Sequence, residues 1–453
     1  MKEGDLIASV EADKAVTEIA APISGTVRDL LVEIGDEVAV GTPLIRLLTE
    51  DAAVPKPPTR EEPGTPVIRL EPLQFRDSRT PAPTGTQGEK KGGTQHEKSG
   101  TSSGIIVGIA GVAHSAGSRV LENEEISQLC PSWSPEDIVK RTGIQRRRWA
   151  SDDQSAVGMA VEAASGLMTQ FNLKAGDLGG IYLSTGTPDN ITPSLACRVL
   201  DRLPGSDGST EIPAMDFSAA CSGYIYGLQL AHDALLSTGG GKPILLITTE
   251  LLSRRLDSSD PSTAPIFGDA ATATLICATA DGGPAGEKGL KPLYRIHRPS
   301  LYASPDTEQA LTVPLHEQGG GNAENEYISM EGPVIYQKAV RAMISSLDSA
   351  AKASGFNAKA LELIVPHQAN QRIINAVRQR MKLDSSRVFS MIRDWGNTSS
   401  STIPLCIEQI LSNADELGQT GTAAGSSGSL PGTLGLTAFG GGFTYAGAVL
   451  ERV

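Results

Sequence analysis

Cysteine is scarce in this chain. Its five copies, Cys130, Cys197, Cys221, Cys277 and Cys406, lie far apart, with no Cys-x-x-Cys pair and no histidine cluster at metal-ligand spacing. Neither a zinc site nor a disulfide framework is signalled, no metal is expected, and most of these residues should be buried free thiols. Long apolar runs are missing as well: no stretch approaches the ~18 residues of a membrane helix. Residues Met1 to Asp13 are too acidic for a signal peptide, so no membrane is expected as a partner and the chain reads as cytoplasmic. Positive charge is in deficit, with 39 Lys and Arg against 52 Asp and Glu and a net charge of −13. This argues against nucleic acid as a partner and leaves any basic docking surface to be a local feature.

What remains is a large globular composition. With 453 residues, 39% hydrophobic and 20% charged, the chain is long enough for at least two folded units of ~150 residues. Residues 51–103 break the pattern, mixing Pro, Gly, Ser and Thr with charges of both signs, as in KPPTREEPGTP and RTPAPTGTQGEKKGGT. Such a composition reads as a flexible linker, whose root-mean-square span would be about 40 Å. Its one apolar island, VIRLEPLQF at 67–75, is either a docking strand or an incidental cluster.

From Gly104 onward, strand-like runs alternate with helical patterns: GIIVGIAG, Ala156 to Phe171, GGIYLSTGT, Cys221 to Ser237, then ILLITTE. This order implies an α/β fold. The second half repeats the first. LGGIYLSTGT (178–187) parallels LELIVPHQAN (361–370), and DFSAACSGYIYGL (216–228) parallels RDWGNTSSSTIPL (393–405). ILLITTE with GDAATATLI parallels LGLTAFG with TYAGAVL. Two similar halves would bring the loops at their strand ends around one shared cleft.

Three residues in those loops could carry chemistry. Cys221 lies between the strand-like IPAMDF and a helix with apolar positions Tyr224, Leu228, Ala231 and Leu235, so it would face a helix N-terminus that favours the thiolate. An inert buried thiol is the alternative. His367 follows the strand-like LELIV, and Asn397 sits in WGNTSSST, where it reads equally as a turn residue or a helix cap. Equivalent places in the two halves would make them converge, and Cys, His and Asn together suit nucleophilic thioester chemistry. The glycines of FGGGFTYAG (439–447) could offer N–H donors to a reacting carbonyl, or simply turn the chain. In QRIINAVRQRMK (371–382), Arg372, Arg378, Arg380 and Lys382 form a local basic stretch without an acid, either a docking face or a solvated one.

RTGIQRRR (141–148), DFSAACSGYIYG, IFGDAATA (266–273), VPHQANQRI (365–373), GNTSSSTIP (396–404) and FGGGFTYAG occur in this order across 104–453. Together they resemble β-ketoacyl-acyl-carrier-protein synthase III, of the thiolase-fold condensing enzymes. The resemblance implies a five-layered αβαβα fold of two duplicated halves, 104–285 and 286–453, in a homodimer. It implies decarboxylative Claisen condensation of an acyl primer on Cys221 with a malonyl group on acyl carrier protein, in fatty-acid, polyketide or other secondary-metabolite synthesis. His367 and Asn397 would stabilise the enolate, the N–H groups of Cys221 and Gly441 would form the oxyanion hole, and Phe439 would orient the site. Acyl and malonyl thioesters of coenzyme A or phosphopantetheine would be the substrates, with no cofactor required. Arg141 would contact coenzyme A, and the basic stretch beginning at Arg372 would dock the carrier protein. The sequence departs from the family where acetyl-coenzyme A enzymes place an adenine-stacking tryptophan: that position is Asp137.

Residues 1–50 resemble part of a lipoyl or biotinyl domain, a small all-β module. EADKA (11–15) would present Lys14 in a hairpin, and its Asp and Ala neighbours favour a lipoyl group there over biotin. Two further readings follow: acyl transfer or non-decarboxylative condensation on the same fold, or an acyl-shuttling subunit linked to a 2-oxo-acid dehydrogenase.

Overall fold

The computed structural model describes residues 104–280, 287–305, 309–314, 327–420 and 430–453, with the backbone of four strands before them. The chain divides into two compact units, 1–95 and 96–453. In the first, Leu6–Ala12 pairs antiparallel with Ala15–Ala20, and Thr26–Leu30 pairs antiparallel with Ile45–Leu48. The ladder of the first hairpin closes at Ala12 opposite Ala15, the two residues that bracket Asp13 and Lys14. Lys14 itself, the linker and the apolar island at 67–75 lie outside the described residues.

In the second unit the duplication read from the sequence is structural. The first half orders its strands Ala214–Phe217, Gly180–Ser184, Ile244–Leu251, Asp269–Ala280 and Ile105–Ala116. The first two neighbour pairs are parallel and the last two antiparallel. The second half repeats that succession. Val388 bridges in parallel to Leu363–Pro366, which pairs in parallel with Thr433–Gly440. Thr433–Gly440 then pairs antiparallel with Thr444–Arg452, and Thr444–Arg452 with Ser300–Ala303 and Tyr294–Ile296. Tyr294–Ile296 also pairs with Ile105–Ala116, so the halves share one ten-stranded sheet.

Both faces of this sheet are covered, which is why its strands read as near-continuous apolar runs. Along Ile244–Leu251 the residues alternate between two cores. Leu245 and Ile247 pack on Met159, Ala163 and Leu167 of the helix Ala156–Gln170. Ile244 and Leu246 face inward, toward Tyr224 and Leu228 of Gly223–Ser237 and Ile403 and Ile407 of Thr402–Thr420. In the second half, Ile364 and Val449 meet Ala339, Met343 and Leu347 of Gly332–Ala353. Two helices thus lie at the centre, a half-sheet on each side and one long helix outside each: the five αβαβα layers. Each fully buried Leu or Ile stabilises by about 1.5–3 kcal/mol, and truncating one such as Leu246→Ala should cost ~2–5 kcal/mol. Among the described residues, no helix is long and apolar enough to cross a membrane.

Candidate active site

The two central helices begin in the same way. After Ala214–Phe217 the chain turns through Ala220, at φ 47°, into a single 3-10 turn, Ala220–Ser222, before the helix starts at Gly223. After Asn397 it turns through Ser399, at φ 51°, into the 3-10 turn Ser399–Ser401, before the helix starts at Thr402. The two turns pack against each other. Gly223 is required there, since a Cβ would come 1.9 Å from the Ser184 hydroxyl. Duplication thus carries Cys221 of one half to the loops of the other.

A cavity of about 640 Å³ opens over this junction, lined by Cys221, His367, Asn397 and Phe439 together with Arg141 and Arg372. Cys221 and His367 are buried while Arg141 and Arg372 are exposed, so the cavity runs from a dry floor to a charged rim. The cysteine does not behave as its place before a helix suggests. Burial pushes the Cys221 thiol up to about 12, against the lowering pull of a hydrogen bond with the Ser399 side chain. The helix proper begins only at Gly223, and loss of water outweighs the dipole. Cys221 is held as a thiol, which corrects the expected thiolate.

His367 directly follows Leu363–Pro366, and its N–H donates to the Thr437 carbonyl at 2.8 Å. Its ring is fully buried, which holds its pKa down at about 3 and the imidazole neutral. Nδ1 lies 2.7 Å from the Thr402 hydroxyl, while Nε2 has no protein partner. Thr402 Oγ1 also lies 3.0 Å from the Ser399 carbonyl, which already accepts the Thr402 N–H. The threonine has one proton for two neighbours, and where it goes sets the histidine tautomer. Phe439 stands edge-on to His367 with ring centres 5.7 Å apart, and stacks on Phe443.

Asn397 is a turn residue rather than a helix cap: its Oδ1 accepts the Ser399 N–H at 2.8 Å. With the oxygen so engaged, the amide NH₂ is the end left for the cavity. The strand Thr433–Gly440 ends against the cysteine turn, where a Cβ on Gly440 would fall 2.7 Å from the Cys221 nitrogen. Gly441 opens the next turn, packed against Leu311.

The basic helix Gln371–Met381 buries Ile373, Ile374, Val377 and Met381 and leaves Arg372, Arg380 and the following Lys382 exposed. Arg372 lies over the Tyr336 ring, while Arg378 turns back to the Leu383 carbonyl. Asp137 is taken up as the capping partner of Ser134 at the start of Pro135–Thr142. The aromatic beside it, Trp133, stacks on Arg141 at 4.7 Å and lines the cavity. Sequence reasoning passed over Trp133, although a large residue just before a capping box is a signal.

It also passed over Glu250, the one acid of the apolar ILLITTE run. This carboxylate is buried, and accepts from the Ser400 hydroxyl at 2.7 Å, the Ser399 hydroxyl at 3.2 Å and the Gly186 N–H at 3.0 Å. Burial raises its pKa to about 7 in spite of those donors. A lone acid ending a buried strand was the available clue. Among the described residues no group of three or more His, Cys, Asp or Glu could hold a metal ion.

Known proteins are similar to this chain in sequence and in fold. Residues 215–287 match the model of 3-oxoacyl-(acyl-carrier-protein) synthase III, residues 351–452 match that family's C-terminal model, and residues 1–47 match the model described as biotin-requiring enzyme. A β-ketoacyl-(acyl-carrier-protein) synthase III of Xanthomonas axonopodis pv. citri is 33% identical over 347 residues, covering 76% of this chain and 97% of that protein. The solved synthase III of Aquifex aeolicus is similar at a TM-score of 0.62 and 30% identity, covering 76% of this chain and all of that one. A priming β-ketosynthase of a polyketide pathway is similar at 0.62 and 25%, covering 77% and 96%. On this similarity of sequence and fold, the chain belongs to the 3-oxoacyl-(acyl-carrier-protein) synthase III family.

Proposed function

We propose that this chain catalyses decarboxylative condensation of an acyl primer, bound on Cys221, with a malonyl group on acyl carrier protein, giving a 3-oxoacyl thioester. One observation carries the assignment of roles: Cys221, His367 and Asn397 line a single cavity at the meeting of the duplicated halves. Cys221 attacks the primer thioester while its own N–H and that of Gly441 hold the developing oxyanion. The malonyl thioester oxygen then lies between His367 Nε2 and the Asn397 amide. Two neutral donors stabilise the enolate as carbon dioxide leaves, and the carbanion attacks the Cys221 acyl carbon. This role needs a proton on Nε2, so Thr402 must donate to Nδ1; the Ser399 carbonyl, already served by a backbone N–H, leaves it free to do so. Phe439 orients the imidazole. The reaction uses thioesters of phosphopantetheine or coenzyme A and calls on no cofactor.

Arg372, Arg380 and Lys382 form the face that docks the acidic carrier, with Arg378 behind them, and Arg141 receives the polar end of a coenzyme A primer. The strand Ala214–Phe217 ends the sheet, and pairing of this edge with a second copy would form a homodimer. The domains run 1–50, 51–103, 104–285 and 286–453, and the first carries a lipoyl group on Lys14.

The deciding experiment is intact-mass measurement after exposure to a panel of acyl-coenzyme A and acyl-carrier thioesters, with Cys221→Ala as control, followed by carbon dioxide release from malonyl carrier protein. An acyl adduct lost in C221A and Cys221-dependent product support the scheme; no adduct from any donor sinks it. Protein from cells able to lipoylate should gain the mass of a lipoyl group at Lys14, and an unmodified lysine refutes that part alone.

A further inference from the structure

The duplication sets two strand ends against two turns. Ile244–Leu251 of the first half parallels Thr433–Gly440 of the second, so Thr248 and Glu250 occupy the places of Ala438 and Gly440. Each strand packs against the turn of the opposite half, Thr433–Gly440 on Ala220–Ser222 and Ile244–Leu251 on Ser399–Ser401. The first contact is between small groups, since a Cβ on Gly440 would fall 2.7 Å from the Cys221 nitrogen. The second is a polar grip. We infer that Glu250 is a positioning residue for the enolate-stabilising pair: its carboxylate holds the Ser399–Ser401 turn, and that turn aims Asn397 and His367. The inference rests on the roles proposed above for those two residues.

Each link is a direct hydrogen bond. The Ser400 hydroxyl donates to Glu250 Oε1 at 2.7 Å and the Ser399 hydroxyl to the same oxygen at 3.2 Å, while the Gly186 N–H donates to Oε2 at 3.0 Å. Two residues back on the same face of the strand, Thr248 Oγ1 lies 2.8 Å from the Ser401 hydroxyl, which donates to the Ala270 carbonyl of the neighbouring strand at 3.1 Å. All three serines of the turn are therefore held by the first half. What the turn carries belongs to the second. The Ser399 N–H donates to Asn397 Oδ1 at 2.8 Å, and the Ser399 carbonyl lies 3.0 Å from the Thr402 hydroxyl, which meets His367 Nδ1 at 2.7 Å. Ser399 also needs a hold, because its φ of 51° is a strained conformation that persists only where surrounding contacts impose it.

The Cys221 turn has other anchors. The Ser222 hydroxyl donates to the Thr444 carbonyl at 3.2 Å, and the Thr444 hydroxyl donates to the Ala219 carbonyl at 2.9 Å. Loss of Glu250 leaves both in place. The asymmetry fits the chemistry: the Cys221 turn must leave its N–H open to the primer oxyanion, so a glycine faces it, whereas the Asn397 turn presents a side-chain amide and is gripped by its serines.

Glu250→Ala and Ser399→Ala in the full chain test this through two partial reactions: carbon dioxide release from malonyl carrier protein, and acylation of Cys221 by a primer thioester, followed by intact mass. In E250A, kcat and kcat/KM for decarboxylation should fall together by about 100-fold, as for a displacement near 1 Å at a reacting centre, while acylation is spared. S399A leaves Glu250 its Ser400 and Gly186 donors and should show the same split at about tenfold. A merely structural carboxylate would lower both reactions together, in proportion to the folded fraction read by urea unfolding. Equal losses in the two reactions, or decarboxylation at the wild-type rate, overturn the inference. If E250A does not fold, S399A decides by the same split. A wild type that acylates Cys221 but releases no carbon dioxide overturns the proposed reaction and this inference with it; a wild type that releases it, beside unaffected variants, overturns the inference alone.

Discussion

Gly440→Ala is a direct test of how closely the second half must approach Cys221. The new methyl would sit 2.7 Å from the Cys221 nitrogen and 2.8 Å from the Ala220 Cβ. Ordinary contact begins at about 3.4 Å, so the cysteine turn or the strand end must move by roughly 0.7 Å. Neither obstacle is the tip of a flexible side chain. Overpacking of this kind costs about 1–3 kcal/mol of stability. The kinetic cost should be larger, because a displacement near 1 Å at a reacting centre lowers rates by ~10²-fold. The assay is the rate of Cys221 acylation by a primer thioester, followed by intact mass, beside urea unfolding. G440A should acylate about 100-fold more slowly and unfold at lower urea. Gly166→Ala is the control: its added Cβ meets nothing within 4 Å, and in the helix Ala156–Gln170 it should stabilise by ~0.5–1 kcal/mol. Acylation by G440A at the wild-type rate would refute the claim that strand end and cysteine turn are fixed against each other.

Thr402→Val removes the group that orients His367 Nδ1; malonyl decarboxylation should fall at least about tenfold, a loss near 1.4 kcal/mol, with Cys221 alkylation spared. The His367 pKa, lowered from 6.5 to about 3, makes the folded state bind fewer protons than the unfolded one at acid pH. Its contribution is present above pH 6.5 and lost as pH falls toward 3, roughly 1.4 kcal/mol per unit. Glu250, raised from 4.5 to about 7, works oppositely, adding stability as pH falls from 7 to 4.5. Glu250 is common to both proteins, so urea titrations should show His367→Gln gaining on the wild type as pH falls from 6.5 to 3; parallel curves would contradict a buried neutral imidazole. Arg380→Glu with Lys382→Glu should raise KM for malonyl carrier protein about tenfold, weaken its salt dependence and leave acylation from coenzyme A thioesters unchanged.

Much of the architecture was legible because it is periodic. The alternation of apolar runs marked the strands, and the parallel between 178–187 and 361–370 announced the duplication that the sheet order repeats. Cys221 at a strand–helix junction, His367 after a strand and Asn397 before a helix could be picked out because local pattern decides on which loop a residue falls. The Asn397 alternatives were settled by one hydrogen bond to Ser399, too short-range to be seen in composition.

The sequence by itself determined the residue types, the duplicated order of elements and the loops that carry Cys221, His367 and Asn397. Only the tertiary structure decided their states. It buried Cys221 deeply enough to hold a thiol where a helix start had suggested a thiolate, and made His367 neutral. It brought Glu250 to Ser400 across 150 residues of chain. These are effects of solvent exclusion and of long-range proximity. Neither has a local signature, because both depend on which distant segment closes over a site.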